Sequence, residues 1–282
     1  MSRRKLRILI TVASLSLWLP LMSCGPKKPA VGTPAFYWDA ARETFATRDY
    51  LKTTEHLRRI IRTDNEFTQR ALPWRLVVSS GLAQVYLDLG NDCQKGVRAS
   101  PEAPAPLRQA MSNYRLTAET RALEFAETFI QFRKVYKEPT VTLDFAFPSV
   151  NVAEIPERGK VQGGALPSAE IMTSVEHRMM ERAVADAVAA AVGAPGDIAK
   201  GRAAFQGGRA QVPRDVFMTA MLKSLYNQTE LFSREAMNKL DRLMLFVEQG
   251  MEALKTMEAS EQNKELANDF QMLLKSAKQP RP

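Results

Sequence analysis

The side chains best suited to metal binding or nucleophilic catalysis, two histidines and two cysteines, are widely separated in the 282-residue sequence. His56 and His177 each fall on a predicted helix, without the spacing to further ligands that zinc or di-iron sites use. Cys93 follows Asp92, and a neighbouring carboxylate disfavours the thiolate that a cysteine nucleophile requires. The sequence has no phosphate-binding loop, nucleophile elbow or dinucleotide-binding fingerprint. It therefore predicts no metal site, no cofactor and no enzymatic activity.

The other cysteine, Cys24, ends an N-terminal segment that has the layout of an export signal. Four of the first seven residues are basic, and the run that follows them as far as Met22 is apolar apart from small hydroxyls. A charged start and a short apolar core are two parts of a secretory signal peptide. A membrane-spanning helix needs about 20 apolar residues, whereas Pro20 and the Gly25-Pro26 pair end this one early.

The residues Leu21-Met22-Ser23-Cys24 resemble the lipobox of bacterial lipoproteins, with Leu three positions before the Cys and Ser directly before it. The resemblance implies cleavage between Ser23 and Cys24, a diacylglyceryl thioether on Cys24, and acylation of the new N-terminus, typically with palmitate. Two or more acyl chains anchor a protein stably to a membrane. An uncleaved anchor and a conventional secretory signal are the alternative interpretations.

The residue after Cys24 is Gly25 and not the aspartate that keeps enterobacterial lipoproteins at the inner membrane. We therefore expect a lipid-anchored protein of the cell envelope, at the outer membrane and facing the periplasm. Removal of residues 1–23 takes away four basic side chains and lowers the formal charge from +8 to +4. Because the sequence also lacks an RNP motif, a zinc finger and a dense basic patch, we expect no nucleic-acid partner. The expected partners are the membrane, through the lipid, and an envelope protein.

Helical periodicity dominates the sequence after the signal, and the composition is that of a globular chain, with 45% hydrophobic and 25% charged residues. We expect an all-α fold in which helical hairpins precede a helical bundle, with one extended connector between them. The predicted segments are a signal peptide (1–23), a tether (24–35), a first helical region (36–137), the connector (138–169) and a C-terminal helical region (170–282).

The first helical region begins with a helix from Phe36, a turn at Arg48-Asp49 and a second helix that ends near Arg62. A third helix is predicted over 72–89, and Gly90-Asn91 is its expected stop signal.

Residues in these helices recur in a pattern of small and bulky types that lets paired helices approach closely. In a first unit they are Tyr37, Ala40, Ala41, Asp49, Tyr50 and Leu57, and in a second unit they are Leu82, Ala83, Tyr86 and Gly90. The pattern resembles the tetratricopeptide repeat (TPR), which stacks helix pairs into a concave surface. The resemblance implies a groove for protein partners, lined by Tyr37, Phe45, Tyr50 and Tyr86. Ala41 and Ala83 are 42 residues apart, not the 34 of the family, so ordinary helical hairpins remain an alternative.

A long amphipathic helix is predicted over 107–137, where an apolar stripe that includes Phe125, Phe129 and Phe132 indicates a core-facing side. The connector then departs from helical spacing. Four residues alternate there with the period of a strand, namely Val141, Leu143, Phe145 and Phe147. A single strand must pair within the chain, pack as a strap over the helices, or wait for a partner strand.

In the C-terminal region, Ser168 is predicted to cap a helix that ends near Val192, and a short helix follows over 198–205. Residues 215–257 form either two antiparallel helices or one kinked helix, with Ser233 as a possible new cap. Their expected inward stripe is Met237, Leu240, Met244, Val247, Met251 and Leu254. A last helix spans about 260–276.

Together these features predict a lipid-anchored helical scaffold of the cell envelope that mediates protein–protein interaction and has no catalytic activity. The alternative is a carrier of a small apolar ligand, which would resemble the TPR-like lipoproteins of TRAP transporters. That alternative predicts a closed apolar pocket between residues 107–136 and 213–257.

Overall fold

The computed structural model describes residues 29–100, 102, 104–150 and 153–278. The predicted signal peptide, its cleavage site and Cys24 therefore lie outside the described residues. Within the described chain, none of the helices combines the length and the apolar content that crossing a bilayer requires.

The described chain is mostly helical, which confirms the predicted all-α class. Its α-helices are α1 (Pro34–Ala46), α2 (Tyr50–Ile60), α3 (Thr68–Ala99), α4 (Ala105–Val135), α5 (Pro156–Gln162), α6 (Ala169–Ala191), α7 (Ile198–Ala203), α8 (Arg214–Gln228), α9 (Leu240–Leu254) and α10 (Glu261–Lys278). A 3-10 turn covers Thr229–Phe232, and the two strands are β1 (Thr140–Leu143) and β2 (Ala210–Pro213).

The hairpin of α1 and α2 forms as predicted. Arg48 adopts a left-handed conformation with a φ of 65°, which reverses the chain. Asp49 then caps α2 by accepting a hydrogen bond from the backbone N–H of Lys52 at 3.1 Å. At the other end of the hairpin, Thr33 caps α1 through the N–H of Phe36, and Pro34 occupies the first helical turn.

The predicted end of the third helix at Gly90 is wrong. α3 is one helix of 32 residues that continues through Gly90 to Ala99, so the second predicted TPR unit contains no turn. Gly90 faces α4, where a Cβ would lie 3.3 Å from the Cγ of Arg115. Gly96 faces α5, where a Cβ would lie 2.1 Å from the carbonyl oxygen of Val161. Both glycines are therefore places of close helix approach, a use that sequence alone does not distinguish from a helix stop.

The long helix α4 packs against α3, and its predicted aromatic stripe is confirmed as core. Phe125, Phe129 and Phe132 are each fully buried. The ring of Phe132 stacks on Tyr136 with centroids 4.6 Å apart and lies 5.3 Å from the ring of Phe217 on α8. These rings pack α4 directly against α8, in the space where the carrier alternative placed its closed pocket.

The predicted strand pairs within the chain. β1 runs antiparallel to β2, with Val141 opposite Val212 and Leu143 opposite Ala210. Sequence analysis missed β2 because four residues after a glycine turn are too few to show a period of two. β1 ends at Leu143, before the predicted strand residues Phe145 and Phe147. Asp144 fixes the chain that follows by accepting hydrogen bonds from Trp74 Nε1 at 3.2 Å and Arg70 Nε at 2.8 Å.

The C-terminal helices confirm the predicted cap of α6 and decide between the two alternatives for residues 215–257. Ser168 caps α6 through the N–H of Ile171, as predicted. α8 and α9 are separate helices, so the two-helix alternative for 215–257 is correct. Ser233 does not cap α9, because residues 233–239 form turns in which Asn238 has a φ of 54° and its N–H donates to the carbonyl of Ser233 at 2.8 Å.

The predicted stripe packs against the core for the most part, but it is not the most buried side of α9. The buried residues are Leu243, Phe246, Val247, Gly250 and Ala253. Besides Val247, the stripe residues that pack against the core while partly buried are Met237, Leu240, Met251 and Leu254. Neighbouring rings set this rotation, since Phe270 of α10 lies against Gly250, where a Cβ would be 2.4 Å from the ring. Gly250, the smallest residue of α9, therefore lies against the ring of Phe270 on α10.

Two glycine substitutions in α3 test this packing. Gly96→Ala should lower the free energy of unfolding by about 2 kcal/mol, because its methyl group collides with the backbone of α5. Gly90→Ala should leave it unchanged or raise it by up to about 1 kcal/mol, because alanine favours the helix and the Arg115 side chain can move. Urea unfolding monitored by circular dichroism measures both. Destabilisation by Gly90→Ala as large as that by Gly96→Ala would show that the Arg115 side chain cannot move aside.

Candidate functional site

An open cleft of about 1430 Å³ lies between helices α3, α6, α8 and α10, with α5 along one side. We call it the acidic cleft. Its lining includes a set of small residues, which we call its inner surface: Gly81 of α3, Ala183, Ala187 and Ala190 of α6, and Ala220 of α8. A Cβ on Gly81 would lie 2.9 Å from the Cα of Val184, so α3 and α6 meet backbone to backbone at the base of the cleft.

A hydrogen-bonded group joins α3 to α8 at the cleft surface. The hydroxyls of Ser80 and Ser224 lie 2.6 Å apart, and the side-chain amide of Gln228 donates to Ser224 at 3.1 Å. Gln228 is 1% exposed, and its side-chain oxygen has no hydrogen-bond partner among the described residues. The pair of serines therefore fixes the spacing of α3 and α8. The side-chain oxygen of Gln228 stays a buried acceptor without a hydrogen bond among the described residues.

The charge of the cleft is opposite in sign to the charge of the chain. The full sequence has a formal charge of +8, yet the lining contains seven carboxylates and three cations. The carboxylates belong to Asp88, Glu154, Asp186, Asp215, Glu258, Glu265 and Asp269, and the cations to Arg158, Arg182 and Lys223.

Two of these carboxylates are perturbed by their surroundings. Burial raises the pKa of Asp88, while a hydrogen bond from the side-chain amide of Gln84 at 2.8 Å opposes the rise. Burial also raises the pKa of Asp186, against the attraction of Arg182, whose Nε lies 4.0 Å away. Asp88 carries a desolvation cost in the folded protein that a cationic ligand would offset, whereas solvent screens much of this effect at Asp186, whose side chain is 43% exposed.

Helix α5 is held in place as a wall of the cleft by buried charge. Arg158 Nε and the side-chain amide of Gln162 both donate to Asp92, each at 2.6 Å, and Asp92 is 2% exposed. Arg178 of α6 donates to Glu157 at 2.6 Å from the other side. Removing Arg158 would leave the buried charge of Asp92 unmatched, so this pair fixes α5 against α3. The Arg178–Glu157 pair is more exposed and adds a weaker contact to α6.

The four groove residues predicted from the TPR resemblance do not lie together along one groove. Phe45, Tyr50 and Tyr86 are buried, and Tyr37 is partly exposed and stacks on His56 with ring centroids 6.1 Å apart. The three buried residues occupy packing positions, which favour the same residue types as a binding groove. Of the four, none lines the acidic cleft.

The buried residues of that set serve the interior. The ring of Phe45 lies 4.9 Å from Trp74 and 5.2 Å from Phe145. Burial raises the pKa of Tyr50 to about 12, and its hydroxyl has no partner among the described residues. Phe45 and Tyr50 also line a smaller depression of about 510 Å³ beside Arg48.

The histidines and Cys93 have structural surroundings. Burial and the neighbouring Asp92 raise the pKa of the Cys93 thiol to about 11, which agrees with the expected lack of a thiolate. Nε2 of His177 lies 3.1 Å from Glu181, which also accepts a hydrogen bond from Arg48 at 2.8 Å. Within the described part of the chain, no three His, Cys, Asp or Glu side chains are arranged to hold a metal ion.

Sequence analysis missed the acidic cleft because its residues come from five helices and share no motif. The one available signal was the run of small residues at the end of α6, from Ala183 to Val192, which the sequence marks as a surface for close packing. This run of small residues did not indicate that part of the α6 surface would remain open as a cleft.

Comparison with known proteins supplies no template for this site. No protein-family model matches the chain, and neither curated proteins nor solved structures show a significant match.

The burial of Asp88 has a measurable consequence for stability. Because its pKa in the folded state lies above the unfolded value of 3.8, ionised Asp88 destabilises the fold at pH 7. Asp88→Asn should therefore raise the free energy of unfolding at pH 7. The gain should shrink as the pH falls through the folded pKa and vanish below 3.8, where the carboxyl is protonated in both states.

Denaturant unfolding between pH 7 and pH 4 measures this difference. Asp64→Asn is the matched control, because Asp64 is an exposed carboxylate outside the cleft. A variant Asp88→Asn that is less stable than wild type at pH 7 would show that the bond from Gln84 outweighs the desolvation of Asp88.

Proposed function

We propose that the protein is a lipid-anchored helical scaffold of the cell envelope that holds a partner protein in the acidic cleft. The observation that carries this proposal is the cleft itself, whose volume of about 1430 Å³ exceeds the roughly 300–1,000 Å³ of small-molecule pockets. An open groove walled by helices suits a helical segment of a partner, which lays its apolar face between them.

The N-terminal sequence supplies the anchor in this proposal. The lipobox-like residues before Cys24 support cleavage and lipid attachment there. About ten residues then separate Cys24 from the start of α1 at Pro34, and a chain of that length reaches at most about 35 Å. The acidic cleft would therefore stay close to the membrane surface, where it meets envelope partners.

The TPR resemblance supports this proposal through the α1–α2 hairpin, in which the turn at Arg48-Asp49 forms at the expected place. In the proposed mechanism the hairpin stabilises the fold through the packing of Phe45 and Tyr50. The partner binds at the acidic cleft, on other helices.

The carrier of a small apolar ligand remains a second candidate because part of the cleft lining is apolar, including Met179, Met221 and Leu266. Its predicted location between α4 and α8 is filled by the rings of Phe132 and Phe217. The carboxylate-rich lining of the open cleft favours a polar or charged partner over a fully apolar ligand.

Site-specific photocrosslinking tests the partner-binding proposal. A photoreactive residue in place of Val216, which lines the cleft and is 39% exposed, should crosslink to one discrete protein in native membranes. The matched control is Leu116, which is 52% exposed and lies outside the cleft. We expect at least tenfold less of that adduct from position 116. Equal adducts at both positions, or none at position 216, would contradict the proposal.

Metabolic labelling tests the proposed anchor. A clickable palmitate analogue should label the wild-type protein, and Cys24→Ala should abolish the label, because the lipobox cysteine is the proposed attachment site. Cys93→Ala is the control and should keep the label, because that thiol is fully buried in the fold. Detection by in-gel fluorescence decides the matter, and label retained by Cys24→Ala would exclude lipidation at this residue.

A further inference from the structure

We infer that the occupant of the acidic cleft is an amphipathic helix with Lys or Arg along one face, supplied by another protein. This inference rests on the proposed function and deepens it by naming the chemistry of the partner. Three features carry it: the charge of the lining, the small residues of the inner surface, and the surroundings of Asp88.

Charge complementarity selects a cationic occupant. The lining has an excess of carboxylates although the chain as a whole is positive. Two of its three cations are already engaged, since Arg158 binds Asp92 behind the cleft wall and Arg182 lies 4.0 Å from Asp186. The net negative charge of the lining attracts basic segments and repels acidic groups, including anionic lipid headgroups.

The inner surface selects a helix with an apolar side. Ala183, Ala187 and Ala190 follow one another at helical spacing along α6, and Ala220 faces the cleft from α8. Small side chains let the backbone or the apolar side chains of a bound helix come close. Met179 and Met221 also line the cleft, and the flexible thioether of Met adapts to different apolar partners.

Asp88 gives the cleft a position for one cation. Asp88 is partly buried at the cleft, and its carboxylate accepts a hydrogen bond from the side-chain amide of Gln84 at 2.8 Å. The charge of Arg158 acts on it from a distance and opposes the rise of its pKa, while the guanidinium of Arg158 is itself hydrogen-bonded to Asp92 at 2.6 Å. A Lys or Arg side chain from the bound helix would give Asp88 a directly hydrogen-bonded cation, as Asp92 has.

Fluorescence anisotropy with a defined probe tests this inference. The probe is a labelled 18-residue helix of Lys and Leu in amphipathic order, and a Glu–Leu helix of the same pattern is its counterpart. The full-length mature protein, embedded in zwitterionic nanodiscs, is titrated against each, with binding to empty nanodiscs subtracted. The Lys–Leu helix should bind at least tenfold more tightly than the Glu–Leu helix, and added salt should weaken it.

Cleft variants show whether this binding occurs at the proposed site. Asp88→Asn combined with Asp186→Asn should weaken it at least tenfold, and so should Ala187→Trp, which fills the inner surface. Ala220→Trp replaces Ala187→Trp if that variant fails to fold by circular dichroism. The control pair Asp64→Asn and Glu66→Gln removes two exposed carboxylates outside the cleft and should leave the affinity unchanged.

The results separate this inference from the function on which it rests. Equal affinity for the two helices, or affinity that survives both cleft variants, would overturn the inference. If a partner still crosslinks at position 216 in that case, the scaffold proposal stands and only the chemistry of the occupant is wrong. A crosslinked adduct of twice the chain mass would identify a second copy of this protein and would also overturn the inference.

Discussion

The close approach of neighbouring helices to α3 is the constraint on which the rest of the structure depends. Three glycines along this helix each face a different element, and each would clash with or crowd it if it carried a Cβ: Gly81 against α6, Gly90 against α4 and Gly96 against α5. Because the backbones meet so closely, α3 becomes the buried axis of the fold. The position of α6 relative to α3, and with it the base of the acidic cleft, follows from the contact at Gly81.

Buried carboxylates hold the irregular segments onto this helical frame. Asp144 fixes the extended chain after β1 through Trp74, Asp92 fixes α5 through Arg158, and Glu181 fixes the α1–α2 turn through Arg48. A left-handed backbone costs a non-glycine residue about 1–2 kcal/mol, so the charged hydrogen bond of Arg48 helps to maintain that turn.

The acidic cleft differs from these three places in having more carboxylates than cations. At Asp88 the hydrogen-bond donor is the neutral amide of Gln84, and burial raises the pKa of the carboxylate although the charge of Arg158 opposes the rise, so a local desolvation cost remains. Sites that bind ligands commonly keep such a cost, because the ligand offsets it on binding. This comparison within one molecule is the physical basis for proposing the cleft, and not the aromatic hairpin, as the binding surface.

Local sequence signals determined those parts of the fold in which neighbouring residues supply the necessary interactions. Ser168 caps α6 and Asp49 caps α2 within three residues of their own positions, and the phenylalanines of α4 recur with the helical period, so each could be predicted. Tertiary contacts decided the rest. Residues distant in sequence decide whether Gly90 ends a helix or is the place where a second helix packs closely. They also decide which side of α9 is buried and where a cleft remains open. The reason is that a small residue permits close approach without specifying which surface will approach it.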